Sequence, residues 1–148
     1  MKVLVVGASG KTGRLLVSQL LQRGHRVLAI VRSPDTFRER FSTVETSGLT
    51  VVGARVLDLS ERELASHLED CDAIASCLGH NLSLKGVFGP PRRLVTDATR
   101  KLCQAAMSLT RDSPIRFVLM NTVGNVNRDR NEQVSLADSL VFFTLRVL

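Results

Sequence analysis

Residues 7–13 read Gly-Ala-Ser-Gly-Lys-Thr-Gly and follow directly on Lys-Val-Leu-Val-Val. Three glycines at intervals of three, between a β-branched run and a helix-forming segment, leave few folds open: the chain must turn tightly there and let another backbone or a ligand come close. The same letters contain Gly-Lys-Thr, the end of an ATP-type loop. Such a loop needs GxxxxGK[ST], whose four intervening residues let a wide arc of N–H groups surround the phosphates. Counting back from Gly10 puts Val5 where the first glycine is required. Val5 belongs to the strand, so the arc is too short for a triphosphate. The frame Gly7-x-x-Gly10-x-x-Gly13 fits a dinucleotide instead. Its glycines allow the turn, the approach of a pyrophosphate and close helix packing, and the helix dipole favours the anion.

The rest of the chain repeats this alternation. Arg-Val-Leu-Ala-Ile-Val at 26–31 is a second short apolar run, of the kind buried on both faces of a parallel sheet. Between the two, residues 11–23 predict a helix with Leu15, Leu16, Leu20 and Leu21 on its apolar side and Gly24 as its stop. Residues 33–48 hold a short helix at most, and a third strand is expected over 50–56. Ser60-Glu61-Arg62-Glu63 reads as a capping box, Asp-Ala-Ile-Ala-Ser-Cys-Leu-Gly at 72–79 as a fourth strand, and 115–122 as a fifth. A long helix opens near Pro90-Pro91, with Leu94, Val95, Ala98, Leu102, Ala105 and Leu109 at helical spacing. The tail, 135–148, reads as an amphipathic helix on Leu136, Leu140, Phe143 and Val147, with no strand after it.

This pattern predicts an α/β fold, a doubly wound parallel sheet of Rossmann type in the order 3-2-1-4-5, forming one domain over 1–148 and lacking further C-terminal strands. Ligands bind such sheets beyond the carboxyl ends of their strands, so the loops at Gly7, Arg32, Asp58, Cys77 and Asn121 should build the site. Composition narrows the class. At 148 residues and 44% hydrophobic content the chain suits one globular core. No secretory leader or membrane-length apolar run is evident, which predicts a cytoplasmic protein without membrane contact. Its three cysteines, Cys71, Cys77 and Cys103, include no CxxC pair, so neither a disulfide framework nor a metal site is expected. The formal charge of +6 is scattered and unaccompanied by Trp or Tyr, which argues against nucleic acid.

Cofactor choice is read after the second strand, where an acidic residue suits the ribose of NAD and an arginine the 2′-phosphate of NADP. Arg32 and Ser33 stand there, with Lys11 and Arg14 able to assist, so NADP(H) is preferred over NAD(H). His80, after Gly79, could protonate an acceptor or be a plain surface histidine. Cys77 could be a redox thiol or a small buried apolar group. Asp70 and Asp72 are expected as solvated turn carboxylates.

With these residues in place, the segment from Val5 to Pro34 resembles the N-terminal half of atypical short-chain dehydrogenase/reductases, NAD(P)H-binding proteins that include flavin reductase/biliverdin reductase B and the NmrA-like redox sensors. The resemblance implies that Gly7, Ser9, Gly10, Lys11, Thr12 and Gly13 line the pyrophosphate and that Arg32 and Ser33 meet the 2′-phosphate. It places Asp58 and Leu59 at the adenine, Cys77, Leu78 and Gly79 beside the nicotinamide ribose, and Thr122 at the strand end flanking the nicotinamide, where Thr122 either bonds the substrate or ends a strand. The family's Tyr-dependent members use YxxxK to deliver a proton to a carbonyl. This chain has no tyrosine. The expectation is therefore an NADPH-dependent reductase passing hydride to a flavin-, quinone- or tetrapyrrole-like small-molecule acceptor; the alternative is a non-catalytic NmrA-like sensor of NADP(H) acting through a protein partner. A homodimer through the helix after Pro91 and the tail is the further partner considered.

Overall fold

The structure is a computed structural model, in which residues 1–41, 46–79 and 93–120 are described. Five strands, β1 (Lys2–Val6), β2 (Arg26–Val31), β3 (Leu49–Gly53), β4 (Ala73–Ser76) and β5 (Arg116–Leu119), form one sheet in the order β3-β2-β1-β4-β5. Every neighbouring pair is parallel, with Val5 opposite Ala29 on one side and Ala75 on the other. The predicted order and class are those found. Among the described residues four helices cover the sheet: α1 (Lys11–Gln22), α2 (Pro34–Glu39), α3 (Glu61–Leu68) and α4 (Leu94–Met107).

Alternation along each central strand divides the core into two layers, because successive side chains leave opposite faces of a strand. Val3, Val5, Val27, Ala29, Val31, Ala73 and Ala75 meet Val17 of α1 and Phe37 and Phe41 around α2. Leu4, Val6, Leu28, Ile30 and Ile74 meet Leu64 and Leu68 of α3 and Ala98, Leu102 and Ala105 of α4. Central strands buried on both sides must be apolar throughout, which is why β1 and β2 lack a polar face. Edge strands escape that demand. β3 is only partly buried, and Val118 of β5 is 63% exposed among the described residues.

Helix boundaries follow local chemistry. Arg23 caps α1, and Gly24 adopts φ +74°, letting its N–H reach the Leu21 carbonyl at 2.9 Å while the His25 N–H reaches Leu20 at 3.0 Å, the paired closure of a Schellman turn. The capping box predicted at Ser60 is formed: the Glu63 N–H donates to Ser60 Oγ at 3.2 Å and the Ser60 N–H to Glu63 Oε2 at 2.7 Å.

Three expectations need correction. Leu15 does not join the apolar side of α1 and is 65% exposed, since Gly13 and Val17 hold the buried stripe, flanked by Leu16, Leu20 and Leu21. The third strand runs over Leu49–Gly53 and ends before Val56, which is buried in the following loop. The long helix begins at Leu94 rather than near Pro91, which lies outside the described residues. Asp70 and Asp72 are exposed carboxylates, as expected, and both also meet Lys2: its Nζ lies 2.8 Å from Asp70 Oδ1, and its N–H donates to Asp72 Oδ2 at 2.7 Å, fastening β1 to the start of β4. The tail helix expected over 135–148 lies outside the described residues.

Candidate functional site

A parallel sheet brings all of its strand C-termini to one edge, so the segments after Val6, Val31, Gly53, Ser76 and Leu119 share that edge. The first crossover dominates it. Gly7 leaves β1 at φ +74°, a conformation that L side chains rarely adopt, and its carbonyl accepts the Gly10 N–H at 3.1 Å. A Cβ on Gly7 would stand 2.5 Å from the Cys77 carbonyl carbon and 2.7 Å from the Leu78 nitrogen. The glycine loop and the exit of β4 are therefore in direct backbone contact. Gly13 faces inward from the first turn of α1, where a Cβ would collide with the Gly7 carbonyl. Gly10 is the N-cap, in extended conformation and with no side-chain capping bond. The amides of the first helical turn have no partner within the helix, and no capping side chain serves them. Ser9, Lys11 and Thr12 are exposed around this end. A cradle cleared of Cβ atoms, closed by another strand's backbone and presenting free N–H groups at a positive helix end, fits a pyrophosphate.

The other expected residues stand at the same edge. Arg32 and Ser33 follow β2, both exposed, and the Ser33 hydroxyl makes no capping bond to α2. Asp58 is exposed in the loop from β3 to α3, where its N–H donates to the Arg55 carbonyl at 3.0 Å, while Leu59 packs against the core. Cys77 and Leu78 are half-buried after β4, with the Cys77 N–H donating to the Val6 carbonyl at 2.9 Å, and Gly79 is exposed. Burial pushes the Cys77 thiol above its ordinary range. A raised thiol is a poorer source of thiolate, which weighs toward the small-apolar-group reading. His80 and Thr122 lie outside the described residues.

Two features here were not read from the sequence. An open groove of about 460 Å³ runs between α1 and α2, lined by Lys11, Arg14, Leu15, Ser18, Arg40 and Phe41. Among the described residues no carboxylate pairs with its three cations, and Arg14 Nε is buried without a partner. The helical spacing of Lys11, Arg14, Leu15 and Ser18 was a signal, but Arg40 joins them only through the tertiary fold. Second, among the described residues Ser76 is the one buried polar residue of the core, and its Oγ has no partner there.

A five-stranded parallel sheet whose first crossover carries this glycine cradle defines a dinucleotide-binding domain of the Rossmann class. A family model described as NAD(P)H-binding matches residues 7–144, and the chain belongs to that family. Among curated proteins it is similar to the chloroplastic divinyl chlorophyllide a 8-vinyl-reductase of Zea mays, 58% identical over 40 residues that make up 27% of this chain and 10% of that enzyme. Among solved structures it superposes on the oxidoreductase ylbE of Lactococcus lactis with a TM-score of 0.67 at 20% identity, covering 98% of this chain and 59% of that one. A candidate NADH-flavin reductase of Streptococcus pneumoniae gives a TM-score of 0.59 at 20% identity, covering 90% and 53%. The chain thus spans little more than half the length of these two structures, whose likeness is one of fold. No helix among the described residues is long and apolar enough to cross a membrane.

Proposed function

We propose that this chain is an NADP(H)-binding reductase domain that presents the nicotinamide to a flavin-, quinone- or tetrapyrrole-like acceptor. The observation that carries the proposal is the glycine cradle of Gly7, Gly10 and Gly13, closed against the backbone of Cys77 and Leu78. In this reading the amides at Gly10 to Gly13, with Ser9, Lys11 and Thr12, hold the pyrophosphate, and Asp58 and Leu59 flank the adenine. Cys77, Leu78 and Gly79 run beside the nicotinamide ribose, and His80 and Thr122 are the candidate catalytic residues. Arg32 and Ser33 take the 2′-phosphate. The cations Lys11, Arg14 and Arg40, which no carboxylate among the described residues pairs, add to the positive field that favours a phosphorylated ribose.

When bound, the nicotinamide supplies the hydride, and the protein orients it and excludes water. No tyrosine is available in the chain to deliver a proton to a carbonyl, which supports acceptors that need little acid–base help. The similarity to a chlorophyllide reductase over 40 residues supports the same class. Three free thiols, Cys71, Cys77 and Cys103, suit a reducing compartment such as the cytoplasm.

Fluorescence titration with NADPH and NADH tests the reading, following nucleotide emission because the chain has no tryptophan. NADPH should bind more tightly, and Arg32→Asp should weaken it about 10- to 100-fold while changing NADH less than about threefold, the size of a lost charge-assisted hydrogen bond. Equal losses for both nucleotides would remove Arg32 from the 2′-phosphate. Steady NADPH consumption with FMN or a quinone supports the reductase. Tight binding without turnover across such acceptors would favour a sensor that acts through a protein partner.

A further inference from the structure

We infer that Lys101 is a positioning residue for the adenine half of the cofactor, acting through the Leu57 carbonyl; this rests on the dinucleotide reading above. Lys101 lies midway along α4, half-buried, and its Nζ donates to the Leu57 oxygen at 2.7 Å across 44 residues of sequence. Leu57 immediately precedes Asp58 and Leu59. Their loop leaves β3, an edge strand, so the sheet supports it on one side only. It is tied at one end by the Asp58 N–H on the Arg55 carbonyl at 3.0 Å and at the other by the capping box at Ser60. The bond from Lys101 falls on the carbonyl of the same Leu57–Asp58 peptide group, and among the described residues it is the tie that α4 supplies. A lysine stem laid along apolar surface with its charge on a backbone carbonyl fixes that carbonyl's direction, and with it the peptide that carries Asp58.

The chemistry that would register this is at the purine 6-position. Adenine presents an amino donor there, which the exposed Asp58 carboxylate can accept; hypoxanthine presents a carbonyl, which the carboxylate repels. A loop held in place converts that difference into discrimination, whereas a loosened loop does not.

The test uses the full 148-residue chain, titrated with NADPH and with its hypoxanthine analogue. The wild type should prefer NADPH by about tenfold or more, the worth of one well-placed hydrogen bond to a charged group. Lys101→Met keeps the apolar stem and removes the donor. It should cut that preference to less than about threefold by weakening NADPH while the analogue holds within about twofold, and Lys101→Arg should recover most of it. Amide hydrogen exchange at 57–59 should be faster in the methionine variant without any nucleotide. Equal weakening of both nucleotides would mark Lys101 as a support of the fold and overturn the inference. An unchanged preference, or a wild type that does not discriminate, would do the same. A wild type that binds neither nucleotide would overturn the cofactor reading itself, and this inference with it.

Discussion

Gly7 and Gly24 share φ +74° and differ in everything around them. Nothing lies within 4 Å of a Cβ placed on Gly24, whereas one on Gly7 would press into the Cys77 carbonyl. Gly24→Ala should therefore show strain alone, about 1–2 kcal/mol in denaturant unfolding, with nucleotide affinity unchanged. Gly7→Ala adds displacement of the neighbouring backbone, so it should destabilise more and reduce NADPH binding at least about tenfold in the same titration. A Gly7→Ala protein that binds normally would show that the cradle is not the phosphate site. The glycine turn and its close approach to another strand were legible because their demand is local. The exposure of Leu15 and the bond from Lys101 to Leu57 were not, because each depends on which neighbour the fold brings near.

At the level of elements, α3 makes the clearest commitment. Its capping box was readable from four letters and is formed with both reciprocal bonds. Ser60→Ala should cost about 1 kcal/mol, seen as an earlier denaturant midpoint at unchanged slope. The box is also sensitive to acid. Hydrogen bonds from Ser60, aided by His67 and Lys101, hold the Glu63 carboxyl below its ordinary value of 4.5, and the ammonium of Lys2 lowers Asp70 from 3.8. Both are depressed carboxylates, so their contribution is complete above those ordinary values and is lost as pH falls through the lower folded-state values. Stability should decline below about pH 4.5, and Ser60→Ala with Asp70→Asn should flatten that acid limb in unfolding curves measured from pH 6 to 3. Edge strands were the harder elements. β3 and β5 read much like central strands, and only the sheet order shows why one side of each lacks a strand partner among the described residues.

For the molecule as a whole, strand alternation made the 3-2-1-4-5 order readable, because parallel strands joined by helices admit few arrangements. The groove between α1 and α2 was beyond reach, since it depends on where Arg40 comes to rest. A ligand that binds only the folded state stabilises it by mass action, so NADPH at about 100 times its dissociation constant should add about 2.7 kcal/mol. That corresponds to a rise of roughly 5–10 °C in Tm for a chain of this size, with a smaller rise from NADH at the same concentration. Identical rises would contradict the 2′-phosphate assignment.

The sheet's middle strand is also its first. β1 pairs with β2 on one side and with β4 on the other, and Lys2 is fastened to Asp70 and Asp72. During synthesis the amino-terminal strand must wait until residue 76 has left the ribosome before its second flank can close. Until then an apolar strand edge is open to any chain nearby, so nascent chains arrested short of β4 should be the ones most dependent on chaperones.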